Sequence, residues 1–280
     1  MQKSSKRASE KLIIGTANFG LSYGIACGKK LPKEEIKQIL SLAKASGIYR
    51  VDTAKAYGEA LEILGELLSE EFLIISKLAP KSKEELLEDL KLSLKKLRRR
   101  RVDYLLLHKP SLVKEKGVVD GLYRALEEGL VKSVGVSVYH SWEVELFSEY
   151  FESFSVELPL SVYDQRFKKE LDTYVKMGLE VFARSVFLQG AVFLKSLPPW
   201  LEALSKPNER LREIANNLGI SLECLCLGFV LSHSQLSGIV IGVDSVFQLK
   251  KNLDCKELDI DLSEFAQTDE RLILPYLWEG

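Results

Sequence analysis

FLIISKLAPKSKEELLEDLKLSLKKLRRRRVDYLLLH, residues 72–108, places two short apolar runs on either side of one long amphipathic segment. FLIISKL (72–78) and DYLLLH (103–108) are too short to be capped helices and read as strands. Between them, SKEELLEDLKLSLKKL (82–97) spaces its leucines at helical intervals. It opens on Ser82 before two glutamates and ends in lysines, the order that capping and the helix dipole favour. A strand, a long helix and a second strand imply parallel pairing through a right-handed crossover.

The same unit recurs in both directions. Strand-like runs stand at KLIIGTA (11–17), IYRVDTA (48–54), KSVGVSV (132–138), FSVELPL (154–160), LEVFARSV (179–186) and SGIVIGV (237–243), with helical sequence such as KEEIKQILSLAKAS (33–46) between them. Eight strands favour a closed (β/α)8 barrel over an open doubly wound sheet. No GxGxxG follows an early strand, which counts further against the open alternative. With no linker or shift in composition, the expectation is a polar tail over 1–10 and a single-domain α/β TIM barrel over 11–280.

Composition narrows the partners. At 46% apolar and 28% charged residues, the chain has the balance of a soluble globular protein with a sizeable core. A net charge of −1 lacks the basic excess expected of a nucleic-acid or membrane-surface binder. No apolar run approaches a membrane span, and MQKSSKRASEKL lacks the apolar core of a signal peptide. Cys27, Cys224, Cys226 and Cys255 form no CxxC pair and read as reduced thiols of a cytoplasmic protein. With three histidines in the chain, no metal site is expected.

In such barrels chemistry gathers at the C-terminal strand ends. Asp52 ends the second strand, Tyr57 follows in its loop, Lys77 ends the third and His108 the fourth. Each alone reads most simply as structural, but together they point into one mouth. A tyrosine serves as a proton donor if its pKa, ordinarily about 10, is brought toward neutrality by an ammonium or imidazole. Tyr57 is therefore the expected acid, Lys77 its activator, Asp52 the partner of Lys77 and His108 the group that orients a carbonyl. KKLRRRRVDY (95–104) belongs to the opposite face, as a solvated helix end.

With DTAKAYG (52–58), SK (76–77) and LLLH (105–108) in order, the sequence resembles the aldo-keto reductase superfamily. GTANFG (15–20), GVS (135–137), ARSVFLQG (183–190) and IGVDSVFQLKKN (241–252) extend the resemblance from about residue 11 to 253. GTANFGLSYGIA with SVFLQG is most similar to a bacterial branch found beside surface-polysaccharide genes. The resemblance implies a nicotinamide cofactor, NADP(H) by family preference with NAD(H) competing, and a small-molecule carbonyl substrate. It places Thr16, Ala17, Asp52 and Ser137 at the nicotinamide end, with Arg184 where many relatives stack an aromatic. Ser185, Phe187 and Gln189 would follow the pyrophosphate, with Lys195 a further phosphate contact. Gly242, Asp244, Gln248 and Asn252 would surround the adenosine, beside a helix N-terminus offering free N–H groups to phosphate.

Departures from the family pattern are specific. Val138 stands where an asparagine usually follows GVS, Glu157 where a glutamine contacts the carboxamide, and Ser161 where an asparagine is frequent. The adenosine segment carries Asp244 and no arginine or lysine at Gly242, Val243 or Gln248, which suits a ribose 2′-hydroxyl better than a 2′-phosphate.

Among the remaining candidates, His140 and His233 read as structural, Trp200 either packs or reaches the site, and Phe19 and Tyr23 either shape the pocket or anchor a loop. The tail RLILPYLWEG packs on the barrel or overhangs its mouth. The expected function is carbonyl reduction of an aldehyde, ketone or open-chain sugar. The alternatives are a nucleotide-loaded regulatory barrel with little turnover, and a Schiff-base aldolase using Lys77. Oligomeric state is open.

Overall fold

The computed structural model describes residues 8–26 and 28–278. Most of the expected tail and Cys27 lie outside them. Ala8–Lys11 form one helical turn whose Glu10 carbonyl accepts from Arg50 Nη2 at 2.8 Å, so the last residues given to the tail join the fold.

Eight parallel strands close into a barrel in sequence order: β1 Leu12–Gly15, β2 Arg50–Asp52, β3 Leu73–Leu78, β4 Val102–Leu107, β5 Val131–Ser137, β6 Ser155–Pro159, β7 Glu180–Arg184 and β8 Gly238–Gly242. Each lies within or beside a run read from the sequence. The seam joins β1 to β8 with Leu12 opposite Ile239 and Gly15 opposite Gly242. Crossover helices cover the outside and bury the main apolar cluster between themselves and the sheet. Helix Lys83–Leu97 starts as expected, with Ser82 accepting from the Glu85 N–H. It ends at Arg98 with φ 53°, and Arg99 donates to the Ser69 carbonyl.

The barrel interior explains the site. Ile13, Ile75, Leu106 and Phe182 form a second apolar cluster, with Tyr104 and Val240 against it. Side chains alternate along a strand, so stepping two residues toward the C-terminal end gives Lys77 from Ile75, His108 from Leu106, Arg184 from Phe182 and Gly242 from Val240. An apolar plug thus carries polar groups at its upper rim. Gly135 on β5 keeps that interior narrow: a Cβ there would stand 2.1 Å from the Ser155 backbone oxygen.

The thiol expectation is corrected. Cys224, in helix Leu222–Leu231, is bonded to Cys255, directly after helix Val246–Asp254. Packing of these two helices brings together cysteines 31 positions apart, a proximity that no spacing rule contains. Cys226 is buried and free. The argument for a cytoplasmic protein from reduced cysteines therefore falls away. No single helix among the described residues is long and apolar enough to cross a membrane.

Candidate active site

A cleft of about 380 Å³ opens at the C-terminal strand ends. Asp52, Tyr57 and His108 line it, and Lys77 lies directly beneath at 1% exposure. The Lys77 ammonium is in contact with Asp52 Oδ2, lies 3.2 Å from Glu157 Oε2, and sits 5.7 Å from the centre of the Tyr57 ring. The Tyr57 and His108 rings meet edge to face at 6.2 Å. The four side chains expected to act together are brought together.

A second polar cluster adjoins them. Ser137 Oγ donates to Glu157 Oε1 at 3.2 Å and accepts from Arg184 Nε at 3.3 Å. Arg184 lies 3.5 Å from the same carboxylate, donates to the Val138 carbonyl at 2.8 Å, and rests over the Tyr139 ring at 4.1 Å. The guanidinium is thereby held between the Glu157 carboxylate and the Tyr139 ring.

Burial dominates the electrostatics. It opposes the charge on Lys77, but Asp52 and Glu157 hold the lysine above its ordinary range. Burial also raises Tyr57, outweighing the lowering by Lys77, with Asp52 and Glu157 raising it further. The tyrosine is therefore not brought toward neutrality in the resting site and keeps its proton. His108 is pushed down to about 4 by burial and by Lys77, so its imidazole is neutral at physiological pH.

The aldo/keto reductase family model matches residues 11–273. The chain belongs to the aldo/keto reductase family. An oxidoreductase of Schizosaccharomyces pombe is 22% identical over 184 residues, covering 65% of this chain and 56% of the relative. The chain thus matches just over half of that relative's length. The glycerol dehydrogenase of Gluconobacter oxydans has a similar structure, with TM-score 0.73 and 19% identity over 96% of this chain and 97% of the other. The holo form of an aldo-keto reductase from Bacillus halodurans gives 0.74 and 18% over 96% and 92%. At these identities the likeness of structure is one of fold.

A nicotinamide dinucleotide, which members of this family use, fits the residues present. Thr16, Ala17, Ser137, Glu157 and Arg184 line the inner part of the cleft, and Ser185, Phe187 and Gln189 its wall. Gly242, Asp244 and Gln248 line the outer end, where a Cβ on Gly242 would meet nothing within 4 Å. Asn252, expected beside them, is fully buried and lies outside the cleft lining, and both its amide atoms lack partners among the described residues.

Two further expectations change. Lys195 is exposed and lies outside the cleft lining. The N-terminus of Val246–Asp254 is less open to phosphate than expected. Val246 N donates to Glu35 Oε1 at 2.7 Å and Gln248 N to Ser245 Oγ at 3.1 Å, so the helix end already faces a carboxylate.

Tyr23 lines the cleft, whereas Phe19 is buried in the core and Trp200 stands outside the lining. Ser161 caps its own turn, accepting from the Tyr163 and Asp164 N–H groups. Sequence reasoning missed Asn18, Tyr139 and Phe193 as lining residues. It left the tail undecided, and the tail does reach the mouth: Pro275 and Tyr276 line it, with the Tyr276 ring 4.7 Å from that of Tyr139. Tyr139, two residues beyond GVS, was the one of these with a usable signal.

Proposed function

We propose that the protein is a nicotinamide-dependent carbonyl reductase in which Tyr57 protonates the carbonyl oxygen. The carrying observation is the convergence of Tyr57, Lys77, Asp52 and His108 at one cleft. A reduced nicotinamide held in the cleft would supply hydride to the carbonyl carbon. Neutral His108 donates an N–H to the carbonyl oxygen and orients it toward Tyr57. Tyr57 holds its proton until negative charge develops on that oxygen, and Lys77 stabilises the phenolate left behind.

The charge on Lys77 disfavours the Schiff-base reading, which needs a neutral amine. Tyrosines 23, 139 and 276 around the mouth give a lining of rings with hydroxyl groups that suits a small polar carbonyl compound, such as an open-chain sugar. Asp244 and Glu35 place two carboxylates at the outer end, which puts NAD(H) ahead of the family's usual NADP(H).

Titration with NADH and NADPH, followed by a carbonyl-substrate screen, tests the reading. Binding of either with turnover supports it, with NADH the tighter. Binding without turnover favours a regulatory barrel, and no binding sinks both. Tyr57→Phe is expected to lower kcat by at least about a hundredfold while leaving nucleotide binding near normal. A variant that keeps most of its turnover removes Tyr57 from the role of acid.

A further inference from the structure

Two helices on the outside of the barrel leave a second cavity between them, and it shares no lining residue with the cleft at the strand ends. Helix Ser141–Ser148 follows β5, and helix Leu171–Lys176 follows β6. The cavity holds about 250 Å³, short of the roughly 300 Å³ at which sites for drug-sized ligands begin. Whatever fills it is small.

Glu170 stands just before the second helix, and the Tyr174 N–H donates to its carbonyl at 3.0 Å. Residues four apart lie on one helix face, and both of these side chains line the cavity. Tyr174 is 5% exposed, yet its hydroxyl makes no hydrogen bond among the described residues. Glu170 Oε2 is likewise buried and unpartnered among them. Two orphaned polar atoms one turn apart on one wall are costly unless an occupant of the cavity satisfies them.

The rest of the lining gives that occupant its charge. Glu145, from the facing helix, adds a second carboxylate. Burial, then the Glu170 and Glu145 carboxylates, push the Tyr174 pKa up, so the hydroxyl stands near both and keeps its proton. Lys169 is at the rim but forms no ion pair with either carboxylate among the described residues. Two carboxylates against one lysine leave one net negative charge.

An ammonium group has three donors and no acceptor, which matches the Glu170 oxygen, a Tyr174 lone pair and the Glu145 carboxylate. A metal ion is a poorer match, because no group of His, Cys, Asp and Glu among the described residues could hold one. Val144 and Met177 supply an apolar wall beside the Tyr174 ring, suited to a short carbon stem. We propose that this cavity binds a small primary alkylammonium compound, its nitrogen between Glu170 and the Tyr174 hydroxyl and its stem against Val144 and Met177.

The sequence supplies its own reporter, since Met1 and Met177 are the chain's two methionines. Methionine labelled with 13C at the methyl group gives two NMR signals, and Met177→Leu identifies the one at the cavity. Titration with n-butylammonium chloride should move the Met177 signal saturably at millimolar concentration and leave that of Met1 in place. n-Butanol has the same stem without the charge and should bind at least about tenfold more weakly. Sodium chloride at equal ionic strength should move neither signal. Glu170→Gln should weaken n-butylammonium binding about tenfold, and Tyr174→Phe about threefold. The second variant removes only an unpartnered hydroxyl, so the fold is kept. A wild-type Met177 signal that stays still, that responds equally to n-butanol, or that titrates unchanged in Glu170→Gln overturns the proposal. Neither nucleotide binding nor turnover enters the readout, so this site and the reductase reading stand or fall separately.

Discussion

Breaking the Cys224–Cys255 bond tests how the end of the cleft lined by Gly242, Asp244 and Gln248 is held. The bond closes a loop spanning 31 positions, and the loop-entropy relation gives about 3–4 kcal/mol of stabilisation for that length at 25 °C. At roughly 2.1 cal/mol/K of unfolding entropy per residue, taken over 280 residues, the double variant Cys224→Ser/Cys255→Ser should melt about 6 °C lower. Calorimetry of the wild type with and without dithiothreitol should show the same difference, and the variant should ignore the reductant. Alkylation in denaturant gives the direct count: Cys27 and Cys226 should react before reduction, and all four cysteines after it. The loss should also be local. Gln248 and Asn252 ride on the helix that ends at the bond, so amide exchange across Val246–Asp254 should quicken more than across Lys83–Leu97. Four reactive thiols in the unreduced protein, or an unchanged melting temperature in the variant, would refute this account.

Three further outcomes follow from the geometry. With His108 held at about 4 in the folded protein, against 6.5 unperturbed, kcat/KM for reduction should stay level from neutrality to about pH 5. The unfolded chain takes up that proton first, so the stability His108 contributes should fall as pH drops from 6.5 toward 4; an activity loss centred near 6.5 would mean the imidazole is not held as described. Gly135→Ala drives a Cβ against the Ser155 carbonyl oxygen across a strand pair that cannot widen without losing register, and should cost at least about 1–3 kcal/mol in urea denaturation. An unchanged midpoint would show the barrel to be looser there than drawn. Asp244→Lys should improve NADPH binding relative to NADH by about tenfold, or about 1.4 kcal/mol, and an unaltered ratio would remove Asp244 from the ribose.

The barrel was legible because its signal is local and repeated. Each strand is a short apolar run, and the catalytic candidates sit where such a run stops, as Lys77 does in IISKL and His108 in YLLLH, or, for Tyr57, in the loop just beyond. What the sequence could not display is what depends on how loops and helices meet. The stacking of Arg184 on Tyr139, and of Tyr139 against Tyr276 from the tail, needs three segments brought together in space. The disulfide needs the packing of two helices. The net effect on Tyr57 needed burial as well as neighbours: Lys77 was visible in the sequence, but the depth at which the phenol sits was not.

Asn18, just after β1, donates to the Val243 carbonyl at 2.8 Å and to Asp244 Oδ1 at 3.0 Å, just after β8. Some 225 positions separate the partners of the first bond, and the cleft floor between Gly15 and Gly242 straddles the same joint. The nucleotide can therefore find its place only after the last strand has docked on the first. A growing chain must complete its barrel unaided, and contacts so distant form slowly. Once the joint exists, a bound nucleotide holds it closed by mass action. The onset of nucleotide fluorescence during refolding would then time a single event, the closing of the ring.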